Sequence, residues 1–287
     1  MSGAAQRPAK GALVLDHIAH WVPDRTAAEA ELRRLGFAPT PFSEQFTRGA
    51  SDAGPVSAGT GNHCAMLERG YLEFLAPIGD TPNASSLRAG MARYTGVHLI
   101  ALGTADPDAE HARLAREGFG PLPAVALERD IGTPDGVGRA RFAVVRTQAG
   151  AMPEGRVQFV EQRTPDLLWQ VRWLDHPNTA YALRATHLCV ADPAEAAARF
   201  ARYIGLPVAT VDAAPGIVTA RGTMIFRDAA RTKADLGLEA PCLPWIAGCT
   251  LACRDPARVP AGRETAHGRV VVPSAALGGA FVFESGA

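Results

Sequence analysis

Cysteine is scarce in this 287-residue chain. Its five cysteines, Cys64, Cys189, Cys242, Cys249 and Cys253, are odd in number and contain no C-x-x-C pair. That argues against a secreted disulfide framework and for a reducing compartment, so the expected location is cytoplasmic. No block of five or six like charges occurs, and the 29 acids balance the 29 bases. There is thus no electrostatic footprint for nucleic acid or for an anionic membrane. No apolar run approaches the roughly 18 residues of a membrane span, and residues 1–11 lack the apolar core of an export signal. What remains is a chain expected to meet a small molecule, uncharged overall. With 47% hydrophobic residues it can bury ample core, and its length favours two domains over one.

What the sequence does contain is an internal repeat. Gly70-Tyr71-Leu72-Glu73-Phe74, Gly155-Arg156-Val157-Gln158-Phe159, Gly222-Thr223-Met224-Ile225-Phe226 and Gly279-Ala280-Phe281-Val282-Phe283 share a glycine and a phenylalanine four residues later. Each reads as a strand leaving a turn. Upstream of each, an apolar strand runs into an aspartate: Leu13 to Asp24, Val97 to Asp106, Thr186 to Asp192 and Ile246 to Asp255. Asp24, Asp106 and Asp192 are good helix N-caps, Pro107 and Pro193 suit the first helical position, and Gly36, Gly118 and Gly205 are placed as stops. The fourth copy is too short and too rich in Pro and Gly for a full helix. Room for two further strands in each copy makes the unit βαβββ. Thr164 to Leu183 interrupts the rhythm and reads as a linker helix, opened by Thr164 and Pro165.

Leu15-Asp16-His17-Ile18 leading to Val22-Pro23-Asp24, the helix end Leu35-Gly36-Phe37 and the closing Tyr71-Leu72-Glu73-Phe74-Leu75 resemble the vicinal oxygen chelate superfamily, in its glyoxalase-like domain branch. The resemblance implies an α+β fold with four βαβββ modules, paired into two half-open β-barrel domains with helices outside. On that basis the expected divisions are a flexible segment 1–11, a first glyoxalase-like domain 12–163, the linker helix 164–183 and a degenerate second domain 184–287. In the superfamily the first and last strands of each module hold a divalent metal. Carried over, the implied ligands are His17, Glu73, His98 and Gln158, and the implied ion is Ni, Zn, Mn, Co or Fe(II). A glutamate is usual at the place of Gln158; Glu161 would need a bulge to replace it. Ile225 and Val282 leave the second domain without a set.

Each of these residues also has a plainer reading. A lone strand histidine is more often hydrogen-bonded in a core than bound to a metal, but His17 and His98 in two repeats with Glu73 form a constellation. Glu73, flanked by Leu72, Phe74 and Leu75, needs a metal, an arginine such as Arg93 or solvent to compensate its charge. Asn62, His63, Arg93 and His176 are candidates to line the substrate site, although turn chemistry accounts for Asn62 equally well. Trp169 and Trp173 form a ridge better suited to domain packing. The resemblance implies a metal-dependent lyase, isomerase or dioxygenase acting on a small oxygen-chelating substrate, with Glu73 as base. The alternative is a non-catalytic protein of the same fold that binds or sequesters a small molecule. Base rates leave room for a homodimer.

Overall fold

A computed structural model of the chain describes residues 3–48, 55–260, 262–265 and 267–286. The first unit is β1 (Val14–Trp21), α1 (Arg25–Arg34), β2 (Ser43–Arg48), β3 (Pro55–Met66) and β4 (Tyr71–Pro77), followed by α2 (Pro82–Met91). The second is β5 (Gly96–Gly103), α3 (Pro107–Arg116), β6 (Val125–Thr133), β7 (Gly136–Arg146) and β8 (Arg156–Gln162), followed by α4 (Pro165–Leu168). The third is β9 (Ala180–Cys189), α5 (Pro193–Ile204), β10 (Val208–Val211), β11 (Ala214–Val218) and β12 (Thr223–Arg227), followed by α6 (Ala229–Leu236). The fourth is β13 (Trp245–Cys253), β14 (Arg263–Glu264), β15 (Val270–Pro273) and β16 (Ala280–Ser285), with a 3-10 turn, Pro256–Arg258, in place of the helix. The fold is α+β, built on the repeat.

Capping explains the regularity. Asp24, Asp106, Asp192 and Asp255 each accept backbone N–H groups at the start of the turn that follows. Gly36, Gly118 and Gly205 close the three helices at φ of +77°, +79° and +77°, where a side chain would be strained. Within each unit the first and last strands run parallel, as β1 with β4 and β5 with β8. Paired units then meet antiparallel, β1 against β5 and β9 against β13. In the N-terminal half the order is β2-β3-β4-β1-β5-β8-β7-β6. One face packs under α1 and α3 through Ile18, Ala28, Leu32, Ile100 and Leu114. The same cluster takes in Phe281 and Phe283 of β16, so the two halves share a core. They also touch edge to edge, where Ile246 of β13 pairs with Val97 of β5.

The other face is curled into a cup. Ala140 of β7 packs on Cys64, Met66 and Tyr71 of β3 and β4, strands distant from it in the sheet order. Two features differ from the sequence reading. The linker helix over 164–183 is only the single turn α4 and a 3-10 turn, Val171–Trp173, with β9 already under way at Ala180. Trp169 is drawn into the cluster behind Tyr71, its indole N–H donating to the Leu67 carbonyl at 3.0 Å, and Pro177 could not sit inside a helix. The second is the presence of α2 and α6, which join paired units. Thr81 and Asp228 cap them, and each buries one residue of its apolar side over its own cup, Leu87 and Leu236. No helix among the described residues is long and apolar enough to cross a membrane.

Candidate active site in the N-terminal cup

Strand register decides which side chains share the cup. His17, Ala19 and Trp21 on β1 stand beside Tyr71, Glu73 and Leu75 on β4. On the other side Ala101 faces His17 and Leu99 faces Ala19. Across β5 and β8, Leu99 neighbours Arg156 and Ala101 neighbours Gln158. Two rows cross the floor: Tyr71, His17, Ala101, Gln158, and above it Glu73, Ala19, Leu99, Arg156. Ala19 and Ala101 leave the middle low, with polar side chains on both flanks.

The centre of the first row is an aspartate–histidine pair. A register shift in β1 between Leu15 and His17 brings Asp16 round to the same side as His17. Asp16 Oδ1 lies 2.6 Å from His17 Nδ1, and Gln162 Nε2 donates to the same oxygen at 3.1 Å. A carboxylate can only accept, so in the neutral ring the proton sits on Nδ1 and the Nε2 lone pair faces the cup. The ring stacks on Tyr71 at 4.3 Å, which fixes its plane. His17 Nε2 is 3.8 Å from Glu73 Oε2, while Asn62 donates to Glu73 Oε1. Asp16 is wholly buried, and its Oδ2, like Gln162 Oε1, has no hydrogen-bond partner. A solitary acid against an imidazole would be costly here; Asp16 is hydrogen-bonded by His17 Nδ1 and Gln162, while Asn62 holds Glu73 at 3.8 Å from Nε2.

The remaining expected residues lie elsewhere. His98 falls at a shift in the β1–β5 register, where Ala19 pairs with Leu99 but His20 pairs with Val97. Its ring is stacked between Trp21 (4.6 Å) and Tyr94 (4.1 Å), and Nε2–H donates to the Tyr94 carbonyl at 2.8 Å. Burial holds its pKa down to about 4. The unit-two counterpart of His17 is Leu99: each stands seven residues before its helix-capping aspartate, Asp24 and Asp106. Counting back from the cap was the signal available in the sequence. Gln158 is the counterpart of Glu73 and is half-buried on the cup face; Glu161 faces the other way and pairs with Arg163 at 2.8 Å.

Of the expected substrate residues only Asn62 is in the site. His63 donates to the Thr40 carbonyl at 2.9 Å on the α1 side. Arg93 donates to the Pro244 carbonyl at 3.0 Å and bridges the halves. His176 accepts from the Ala38 N–H at 3.0 Å and donates to the Met66 carbonyl at 2.8 Å, so both ring nitrogens are engaged in structure.

These positions test the fit of a divalent ion. Among the described residues no three His, Cys, Asp or Glu side chains group so as to hold one. With Asp16 engaged by His17 Nδ1 and Gln162, the cup offers one imidazole, the Glu73 carboxylate and the Gln158 amide, with Leu99 in the place where a second imidazole would stand. Catalytic centres keep three strong protein ligands, so the donors present do not fit the ion that the resemblance implies.

The family profile described as a glyoxalase-like domain matches residues 15–204, both units of the cup and the start of the third. No curated protein matches the chain. Among solved structures, a hypothetical protein from Staphylococcus aureus superposes with a TM-score of 0.66 at 11% identity, covering 95% of this chain and 99% of that one. A triple mutant of 4-hydroxymandelate synthase from Streptomyces coelicolor gives 0.53 at 13% identity, over 96% and 94%. At these identities the likeness is one of fold.

Proposed function

Because the chain belongs to the glyoxalase-like domain family, we propose that its N-terminal cup binds a small oxygen-bearing molecule and moves a proton on it, with His17 as the base. The observation that carries this reading is the 2.6 Å contact between Asp16 and His17 Nδ1, which leaves Nε2 free and aimed toward Glu73. A base of this kind contributes on the order of 10² to 10⁴ to a rate. Asp16 fixes the tautomer and stabilises the imidazolium once Nε2 has taken the proton. Glu73, one oxygen held by Asn62 and the other beside Nε2, stabilises the same cation from the far side and orients the group that gives up its proton. The proton then returns from Nε2 to a neighbouring atom of the substrate, an isomerisation or epimerisation in outcome. Every step uses side chains of the cup, since the donor set falls short of a metal centre.

A non-catalytic binding protein would share the cup and lack the transfer. The test is solvent exchange. Small ketones, hydroxyketones and oxo acids are incubated with the protein in D2O and followed by proton NMR. The expected result is protein-dependent loss of the C–H signal next to a carbonyl, abolished in His17→Ala. Binding of these compounds without any exchange would sink the catalytic reading and leave the binding one.

A further inference from the structure

We infer that the ligand of the N-terminal cup carries a carboxylate, held by Arg146 and Arg156 at the end of the cup away from His17; the inference rests on the cup being the binding site. It begins from how arginines are paired on β6, β7 and β8. Those facing away from the cup meet acids: Arg139 lies 3.1 Å from Asp130, Arg141 3.5 Å from Glu128 and Arg163 2.8 Å from Glu161. Those facing into it do not. Among the described residues none of Arg129, Arg146 and Arg156 has a carboxylate within 4 Å.

Register places two of the three together. Arg146 on β7 is the direct neighbour of Gln158 on β8, and Arg156 is two residues before Gln158 on the same face. Both share that face with Val144 and Val160, which pack with Ala19 and Ala101 of the cup floor. Arg146 extends the first row beyond Gln158 and Arg156 ends the second, both on the side of the cup across from Tyr71 and Glu73. The pKa of Arg156 is lowered by burial first and by Arg146 second, while Glu73 draws it up, so the three charges sense one another. Arg129 belongs to the other end: it lies over the Phe142 ring at 5.6 Å, acts on Tyr71 and Cys64, and its Nε is buried without a partner.

Half-buried Arg146 and Arg156, which sits at the solvent-exposed edge of the cup, repel each other, and Glu73, the acid that acts on Arg156, lies beyond ion-pair reach. A planar fork is the group of choice for a carboxylate, which it can meet with two parallel hydrogen bonds. With Asp16 already engaged by His17, Gln162 and the nearby charge of Arg221, the cup sets Arg129, Arg146 and Arg156 against Glu73 and is locally cationic, which a carboxylate offsets. β1 and β8 are two strand intervals apart, roughly 10 Å at the backbone, and side chains from both take up part of that distance. The fitting ligand is therefore a compact acid whose reactive carbon sits a few bonds from the carboxylate. This replaces the uncharged partner that the balanced composition suggests: net charge averages over the molecule, whereas the cup is locally cationic.

The experiment compares acids with their own esters. Binding of pyruvate and benzoylformate, and of their methyl esters, is measured by calorimetry to the wild-type protein and to Arg146→Gln, Arg156→Gln, Arg156→Lys and His17→Ala, each first checked by thermal melting. The expected result is at least a tenfold preference for acid over ester in the wild type. It should fall to about twofold or less in either glutamine variant and be partly kept in Arg156→Lys. His17→Ala should keep the preference while losing solvent exchange at the pyruvate methyl group, the acid of the pair that has a C–H next to its ketone. Equal affinity for acid and ester in the wild type, no binding of either acid, or a preference untouched by both glutamine variants would each overturn the inference. Exchange confined to neutral ketones would overturn it while leaving the proton-transfer reading intact; acid preference without exchange would do the reverse.

Discussion

The two halves of this protein place similar polar side chains inside the same architecture and use them in opposite ways. In the C-terminal cup Arg227 Nη1 donates to His187 Nδ1 at 2.8 Å, and His187 Nε2–H donates to Thr250 at 2.8 Å. Arg227 lies 2.7 Å from Asp235 of α6, and Asp212, Arg269 and Glu284 extend the chain through contacts of 2.9 Å. Both ring nitrogens are hydrogen-bonded and both cations face carboxylates, and burial pushes the His187 pKa down to about 3. In the N-terminal cup the imidazole keeps a free nitrogen and the arginines keep free charge. A closed polar network is structure; an open one is chemistry waiting for a ligand.

The largest expected effect separates the halves directly. His17→Ala should reduce proton exchange by about 10² to 10⁴, whereas His187→Ala should leave it within about twofold, measured by the same NMR assay. Next comes stability. Asp235→Ala leaves the guanidinium of Arg227, 4% exposed, with Asp212 at 3.8 Å as its remaining acid, and should cost about 3 kcal/mol or more in denaturant unfolding. Arg156→Gln, which breaks no ion pair, should cost less than about 1 kcal/mol. Equal losses for the two would erase the distinction.

A third prediction concerns acid, which acts on both halves. His20 is fully buried, stacked on Phe74 and Phe281, with neither ring nitrogen hydrogen-bonded, and its pKa is held to about 3 by burial first and by His98 second. In the unfolded chain the ring takes a proton below its ordinary value of about 6.5, so the unfolded state binds more protons and stability falls as pH drops from there toward 3. His20→Leu should flatten this dependence by about 3 kcal/mol between pH 7 and pH 4, read from denaturant midpoints.

The smallest expected effect sharpens the metal question. Ni, Zn, Mn, Co or Fe(II) should leave the wild-type melting temperature almost unmoved. Leu99→His, which restores the missing imidazole beside Ala19, should gain a metal-dependent rise of a few degrees by mass action. A large wild-type shift lost in His17→Ala would show that two strong donors and an amide suffice.

Much of this was legible because the repeat writes its boundaries in caps. Asp24, Asp106, Asp192 and Asp255 each start a turn, and the glycine-to-phenylalanine strands carry Glu73, Gln158, Ile225 and Val282 at one position. The error at His98 arose from matching residue type instead of distance to the cap. The same count of seven gives Ala185 and Gly248 in the later units, and Gly248 shows why a histidine is barred there. At φ +142° a Cβ would lie 1.9 Å from the Ala280 carbonyl oxygen. The helices α2 and α6 went unread because they lie between the last strand of one unit and the first of the next, outside the βαβββ repeat. Asp16 and the unpaired arginines were not legible at all. Asp16 meets Gln162 across 146 positions of sequence, and an arginine's lack of a partner exists only once the chain is folded.

The His20 sandwich has a further consequence. Three residues from His17, on the opposite face of β1, the strand is wedged between Phe74 of its own half and Phe281 of the other. The C-terminal half thus works as a backing plate. When a ligand presses on His17, the strand that carries it has little compliance in the direction that would spoil its aim. A half with no chemistry of its own can still set how stiffly the other half holds its base.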